Sequence, residues 1–310
     1  AIRRGPMKTP ESGTEVFAPV AYTGTGSAST QVVTTFAPDM VWPKNRGGSD
    51  SFAWTRLQGL NGLVMSDTSA EAALTNRLTS WNQTGITLGT AQPNNSGDSY
   101  ILEGFRRAPG FFDVVCYTGD GASSRNITHN LGAAPEFMIV KRRGPSTQNW
   151  LVYHAALGAE AGLNLNLNSA AFNPAYFWNS APTSTQFNVR LIPNSTSETY
   201  VAYLFASCPG VSKVGSYTGT GTTQQINCGF SAGARFVMVK ATSTTGDWIV
   251  VDTARGLTTG NDPTLALNST AAEVTTNDWF DPYSAGFELS SASGNLANTN
   301  GVSYIYFSVA

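Results

Sequence analysis

The chain has 310 residues, of which 12% are charged, and its 18 basic and 20 acidic side chains leave a formal net charge of −2. This balance gives no global positive field, so we expect neither nucleic acid nor an anionic membrane surface as a partner. The low charge and the 31 glycines predict short strands joined by polar turns, with little helix.

No apolar run approaches the roughly 20 residues that span a bilayer, and the first residues lack the apolar core of a secretory signal. We therefore expect a soluble chain that neither inserts into a membrane nor carries an export signal. The 3 cysteines, Cys116, Cys208 and Cys228, form no CxxC pair, so neither a disulfide framework nor a zinc site is predicted.

The first 19 residues carry none of the pattern that follows, and we interpret residues 1–19 as an extended N-terminal arm. The arm holds a small basic cluster. Its candidate anchoring residues are Arg3, Arg4 and Lys8.

From residue 20 onward the sequence repeats itself. The string YTGTG at Tyr22 returns as YTGDG at Tyr117 and as YTGTG at Tyr217, at spacings of 95 and 100 residues. This period has the length of a domain, so one period is one domain. We predict repeat 1 at 20–110, repeat 2 at 111–210 and repeat 3 at 211–310. The glycines of each string predict a tight turn with positive φ.

Two further marks keep the same phase. Apolar segments end at Lys44, Lys141 and Lys240, and aromatic runs close each copy from Tyr100, Tyr200 and Tyr304. Such runs favour strands, and seven or eight per copy would fit. The predicted fold is all-β, with three tandem jelly-roll-like β-sandwich modules behind the arm.

The joints between the repeats are short. Pro109-Gly110 and Pro209-Gly210 each stand eight residues before the next repeat's tyrosine. Short Pro-Gly joints limit swinging, so we expect a semi-rigid rod or a compact cluster rather than beads on a flexible string.

The whole pattern after the arm, with YTGxG, the strand ending in lysine, STAAE, GFxL and a closing SYxxxxF, resembles a repeat domain of bacteriophage virion proteins, including tail-fibre-like ones. The resemblance implies a non-catalytic component of a tail fibre, spike or capsid or tail decoration. It would be made in the host cytoplasm and lie on the particle's exterior.

The implied partners are capsid, portal or tail proteins, bound through the arm and module edges. A homo-oligomer and a host-surface glycan are left open. The copies also drift: basic residues follow Lys44 and Lys141 but not Lys240. This uneven drift predicts that the copies face different neighbours.

The residues give catalysis little support. The chain has 2 histidines, His129 and His154, neither recurring, and no hydrolase or nucleotide motif. Glu71 and Glu273 recur in phase, which favours a fixed fold position over a pair of glycosidase carboxylates. We predict no catalytic residue, no cofactor and no metal site.

Sugar binding is the alternative function, because aromatic faces can stack on pyranose rings. Trp81, Trp178 and Trp279 stand at similar phase among polar residues and are the candidate glycan contacts of a host-surface adhesin. The competing interpretation is that they plug the end of each sandwich core. A polysaccharide-degrading tailspike is a third, weaker hypothesis.

Overall fold

The computed structural model describes residues 8–173, 176–292 and 294–310. In these residues the prediction of an all-β chain built of sandwich-like modules is confirmed. The helical segments there are single 3-10 turns at Gly13–Glu15, Arg56–Gln58 and Ile192–Asn194. None of the helices in this part of the chain has the length and apolar character to cross a membrane.

The strands divide among the repeats as follows. In repeat 1 they are β1 (Phe17–Thr23), β2 (Thr30–Val33), β3 (Met40–Asn45), β4 (Phe52–Thr55), β5 (Gly62–Val64), β6 (Leu78–Asn82), β7 (Gly85–Leu88) and β8 (Ser99–Phe105). In repeat 2 they are β9 (Phe112–Thr118), β10 (Arg125–Thr128), β11 (Phe137–Arg142), β12 (Leu151–His154), β13 (Leu163–Asn164), β14 (Gln186–Val189) and β15 (Thr199–Phe205). In repeat 3 they are β16 (Ser212–Thr218), β17 (Gln224–Asn227), β18 (Phe236–Ala241), β19 (Ile249–Asp252), β20 (Asp262–Ala266), β21 (Val274–Asn277), β22 (Phe280–Tyr283), β23 (Gly286–Leu289) and β24 (Ser303–Val309).

Each repeat packs a small antiparallel sheet against one face of a large one. The large sheets have the orders β1-β8-β3-β4-β5, β9-β15-β11-β12-β13 and β16-β24-β18-β19-β20-β21. The small sheets have the orders β2-β7-β6, β10-β14 and β17-β23-β22. In every large sheet the closing strand of the repeat lies between its first and its third strand, so the two ends of each repeat are held side by side.

The closing strand of each repeat is buried on both faces. In β15, Tyr200, Ala202 and Leu204 pack into the core between the large and small sheets of repeat 2. The alternate residues Val201 and Tyr203 point the other way, into a core that all three repeats share. Because both faces are buried, β15 is apolar from Tyr200 to Phe205 instead of alternating with polar residues.

The shared core, which we call the axial core, is centred on aromatic rings from all three repeats. The Phe105 ring of repeat 1 lies 5.8 Å from Phe205 of repeat 2 and 6.4 Å from Phe236 of repeat 3, and Phe205 lies 4.9 Å from Phe307. Tilted and edge-on ring contacts at these distances are favourable. The repeats therefore form a closed cluster around one core, and the arrangement is not a rod.

The axial core also takes in the chain just before repeat 1. Val16 and Phe17 fall within the range predicted as an arm, yet both are buried in it. Gly13 lies so close to the carbonyl oxygen of Ala310 that a Cβ there would be 1.9 Å from it. The segment from Gly13 onward is thus part of the folded unit.

The YTGxG strings form the same turn three times. The second glycine has φ of 67° at Gly26, 77° at Gly121 and 69° at Gly221, as predicted for a tight turn. The first glycine does not have positive φ; a Cβ on Gly24 would stand 2.2 Å from a carbonyl oxygen of the adjoining loop. The two glycines are therefore needed for different reasons, conformation for one and close approach for the other.

A core shared by all three repeats predicts a single unfolding unit. Replacing Phe105 with Ala removes a ring that touches both other repeats, and we expect a loss of about 3–5 kcal/mol in the free energy of unfolding. Calorimetry should show one transition, with equal calorimetric and van't Hoff enthalpies, shifted as a whole to lower temperature. Val33→Ala, at an exposed position, is the control; separate transitions for the repeats would contradict the shared core.

Candidate functional site

The contact surfaces between repeats contain most of the polar residues that the sequence pattern singled out. We call these surfaces seam 1–2, seam 2–3 and seam 3–1 after the repeats that they join. Each seam is built by a buried lysine at the end of the repeat's third strand. Lys141 donates to the Thr68 carbonyl at 2.9 Å, Lys240 to the Ser169 carbonyl at 2.9 Å, and Lys44 to the Ser269 carbonyl at 2.6 Å. The loop that accepts the bond always belongs to another repeat, so the three lysines close a ring.

Burial has an electrostatic consequence for these lysines. Desolvation lowers the pKa of Lys44, Lys141 and Lys240 to about 8 in each case. An ammonium is buried at a cost unless acceptors surround it, and backbone carbonyls supply them here. The recurring lysine is thus a latch between repeats.

A further hydrogen bond from a side chain to a backbone carbonyl accompanies each latch. The indole of Trp150 donates to the Val64 carbonyl at 3.0 Å across seam 1–2, and that of Trp248 donates to the Asn164 carbonyl at 3.1 Å across seam 2–3. Seam 3–1 has Ser51 at this place, donating to the Leu267 carbonyl at 3.2 Å. All three seams therefore have a second hydrogen bond between repeats at the same place. We call this bond and the lysine latch, together with the backbone contacts beside them, the frame of a seam.

Seam 1–2 adds an ion pair to this frame. The backbone N–H of Glu71 donates to the Arg143 carbonyl at 3.0 Å, and Arg143 Nη2 donates to Glu71 Oε1 at 3.0 Å. Gln58 donates to the same carboxylate at 2.7 Å. Although burial alone would raise it, these hydrogen bonds leave the pKa of Glu71 below its usual value. One of the two recurring glutamates thus binds the repeats together.

Seam 3–1 has the same layout with more charged side chains. Arg46 pairs with Glu273 at 2.7 Å, and Arg255 stands where seam 1–2 has Gln58 and contacts Glu273 at 3.1 Å. Arg255 also pairs with Asp252, both side chains being fully buried. Arg46 and Arg143, which follow the shared lysine, thus bind an adjacent repeat of the same chain. Arg142 instead donates to Ser195 Oγ of its own repeat at 2.8 Å.

Glu103 lies beside this network and is 2% exposed. Burial, reinforced by the nearby Asp252 carboxylate and opposed by Arg255, raises the pKa of Glu103 to about 8. Its Oε1 has no hydrogen-bond partner in the described part of the chain. The carboxyl is therefore held in its neutral form at neutral pH, where its desolvation cost is lowest.

Seam 2–3 keeps the frame and lacks the ion pair. The backbone bond survives, with Ala171 N–H donating to the Thr242 carbonyl at 2.8 Å. Ala171 thus occupies the place of Glu71, Thr242 that of Arg143, and Leu157 that of Gln58. A cleft of about 550 Å³ opens there, which we call the seam cleft. It is lined by Ala156, Leu157, Ala171, Ser216, Tyr217, Thr218, Thr242, Ser243, Ser303, Tyr304 and Ile305.

The three tryptophans proposed as glycan contacts lie apart, in three different repeats. Trp178 is 3% exposed and packs against Phe177 and Tyr153. Trp81 is half-buried, donates to the Gly59 carbonyl at 2.6 Å and has the Arg56 guanidinium 5.1 Å from its ring. Trp279 packs at the edge of the repeat 3 core. These contacts occupy much of the aromatic surface that would meet a sugar.

The common phase suggested for these tryptophans is wrong. In the ladder of β6 and β7, Trp81 stands opposite Ile86, whereas the residue opposite the matching Phe287 in repeat 3 is Pro282. Trp279 precedes the paired strand altogether. The two hairpins have the same register and the same two-residue loop. Trp81 stands four residues before Gly85 and Trp279 seven before Gly286, so the two side chains take different structural positions.

The remaining candidates are dispersed. Arg3 and Arg4 lie outside the described residues, and Lys8 is exposed and pairs with Glu11. His129 is buried and its Nε2 lies 3.1 Å from the Thr183 carbonyl. His154 is buried at seam 2–3, where desolvation lowers its pKa to about 4. No group of three or more metal-ligating side chains was found among the described residues.

Sequence reasoning missed a recurring asparagine. Asn94, Asn194 and Asn298 are buried, and their side-chain oxygens accept bonds from the YTGxG turn of their repeat at 2.9, 3.2 and 3.0 Å. Each stands six residues before the closing tyrosine. That constant spacing was the available signal.

The ion pair of seam 1–2 predicts energetic coupling. Glu71→Ala leaves the guanidinium of a partly buried Arg143 without its partner, and we expect a loss of about 1–3 kcal/mol in unfolding free energy. The double variant Glu71→Ala, Arg143→Thr reproduces the pair found at seam 2–3. It should be less destabilised than the sum of the single variants, with a coupling of about 1 kcal/mol in denaturant titrations. Strict additivity would show that the pair contributes nothing.

The raised pKa of Glu103 predicts a pH effect. In the unfolded chain this carboxyl ionises near pH 4.5, while in the folded chain it stays protonated up to about pH 8, so its contribution is lost as pH rises through this window. Replacing it with neutral glutamine removes the loss. We expect the stability of Glu103→Gln relative to the wild type to increase by about 3 kcal/mol between pH 5 and 7.5, measured by denaturant unfolding. An equal pH dependence in both proteins would contradict a protonated Glu103.

Comparison with known proteins adds one finding. The family model described as "Domain of unknown function (DUF7483)" matches residues 12–310. No curated protein matches the chain. The match begins at Ser12, whose side chain caps the 3-10 turn next to Ala310, and it runs through all three repeats. The chain belongs to the DUF7483 family.

Proposed function

We propose that the chain is a non-catalytic structural component of a bacteriophage virion, namely a tail fibre, a spike or a decoration of the capsid or tail. The main support is that the recurring residues make the contacts that build the fold. The YTGxG tyrosines donate to carbonyls of the adjoining loop at 2.8, 2.7 and 2.6 Å, and the recurring lysines latch the repeats. The pattern that resembles virion repeat domains is thus a pattern of fold-building contacts.

Rigidity gives the proposal a mechanism. A block whose repeats share one core and are latched in a ring loses little conformational entropy when it docks. Subunits repeated by the symmetry of a particle benefit from such preorganised surfaces. The attribution to a virion itself rests on the resemblance of the repeat pattern.

An assembly surface can be suggested on repeat 2. Phe172, Tyr176 and Leu191 are exposed apolar side chains, and the Ile192 N–H donates to the Tyr176 carbonyl, which places Tyr176 and Leu191 side by side. Neighbouring exposed apolar residues often mark a protein contact. We propose that this patch and the N-terminal arm bind other virion proteins or a further copy of the chain.

Purified particles test the proposal directly. Virions that carry the encoding genome should contain the chain as a band on a gel, identified by mass spectrometry, and labelled antibody should decorate their exterior. Tyr176→Ser with Leu191→Ser should lower incorporation several-fold because apolar contact area is lost, while Val33→Ser should not. Particles without the band would contradict the structural role.

A further inference from the structure

The seam cleft is the place where the three-fold pattern of the molecule is broken. At the other two seams an Arg–Glu pair stands at the corresponding positions. At seam 2–3 the replacements are Ala171, Thr242 and Leu157, which remove the charges and open the cleft. Its volume of about 550 Å³ lies within the range of roughly 300–1,000 Å³ that is usual for small-molecule sites.

One wall of the cleft consists of hydroxyl groups. Ser216, Thr218 and Ser303 are exposed on the strands β16 and β24, and their side-chain oxygens make no hydrogen bond within the described part of the chain. Next to them the Ser243 Oγ accepts the Ser303 N–H at 3.0 Å, which leaves its own proton free to donate. The wall thus presents several neutral donors and acceptors at once.

The facing wall is apolar. Leu157 and Ala171 come from repeat 2 and pack against the axial core, while Ile305 stands opposite Ser216 on the strands that carry the hydroxyls. Their positions are fixed by the latch of Lys240 on the adjoining loop. A bound molecule therefore meets a preformed apolar surface opposite the row of hydroxyls.

No side chain among the described lining residues carries a charge. An anionic or cationic ligand would be partly desolvated there without a counter-charge, which is unfavourable. A purely apolar ligand would leave the hydroxyl wall unpaired. The ligand that satisfies both walls is neutral, rich in hydroxyls and provided with C–H faces.

From this chemistry we infer that the seam cleft binds a neutral saccharide of one or two rings. Its hydroxyls bond to Ser216, Thr218 and Ser303, and its C–H face packs on Leu157 and Ala171. The site is distinct from the three tryptophans considered above, none of which lines the cleft. The inference is independent of the proposed structural role, which is tested by whether purified particles contain the chain.

The other seams supply the test variant. Ala171→Glu with Thr242→Arg installs the ion pair on a backbone frame that already accommodates it twice, so the variant should fold with an unchanged or higher melting temperature. The full-length protein is screened on an array of neutral and acidic glycans. Neutral mono- and disaccharides that score are then titrated by ligand-observed NMR.

We expect wild-type protein to bind at least one neutral saccharide and the filled variant to bind it at least tenfold more weakly. Ser303→Ala, which leaves the cleft open, should weaken binding about 3- to 10-fold through one lost hydrogen bond. Trp81→Ala should leave the affinity unchanged. The inference is overturned if no neutral saccharide binds, if filling the cleft has no effect, or if only acidic glycans or peptides bind.

Discussion

The structure depends on the burial of each closing strand on both of its faces. One face of β15 packs on the small sheet of its own repeat, and the other packs into the core shared by all three. A repeat separated from its neighbours would expose Val201, Tyr203 and Phe205 to water, at a cost of roughly 1.5–3 kcal/mol for each such side chain. The repeats are therefore sandwiches in architecture but are not independent in stability, which accords with a family match that runs across all of them.

The polar residues at the seams follow from that burial. Bringing three sheets together also buries one lysine per repeat, and each is tolerated because a loop of another repeat presents its carbonyls. The charged pairs obey a stricter rule, since removing one partner of a buried pair leaves an uncompensated charge. Seam 2–3 has accordingly lost both members, with alanine at one position and threonine at the other. The difference between the repeats therefore involves both positions of the pair together, Ala171 and Thr242, at one seam.

Much of the local structure could be predicted from the sequence, because strands, turns and repeat period are written in short stretches. The second glycine of YTGxG and the closing aromatic run are examples. The closure of the ring could not be predicted, since Arg46 and Glu273 are 227 residues apart. Either a rod or a cluster satisfies the same local pattern. The strand alignment of the repeats was also out of reach: in the ladders Trp81 corresponds to Pro282 and not to the tryptophan that sequence spacing matched to it. The glutamates were assigned a fixed fold position, while their partners remained unknown because those lie in other repeats.

Pseudo-symmetry helps to separate what holds this molecule together from what it could recognise. A contact present at all three seams, such as the lysine latch, is explained by the fold and needs no ligand. A feature present at one seam alone is not required by the fold, because the repeats are held together at the other two seams without it. The seam cleft is such a place: its frame is shared, its uncharged lining is not, and the charged side chains of the other seams are compatible with that frame. Specific binding is therefore better sought at the position where the repeats differ than among the residues that they have in common.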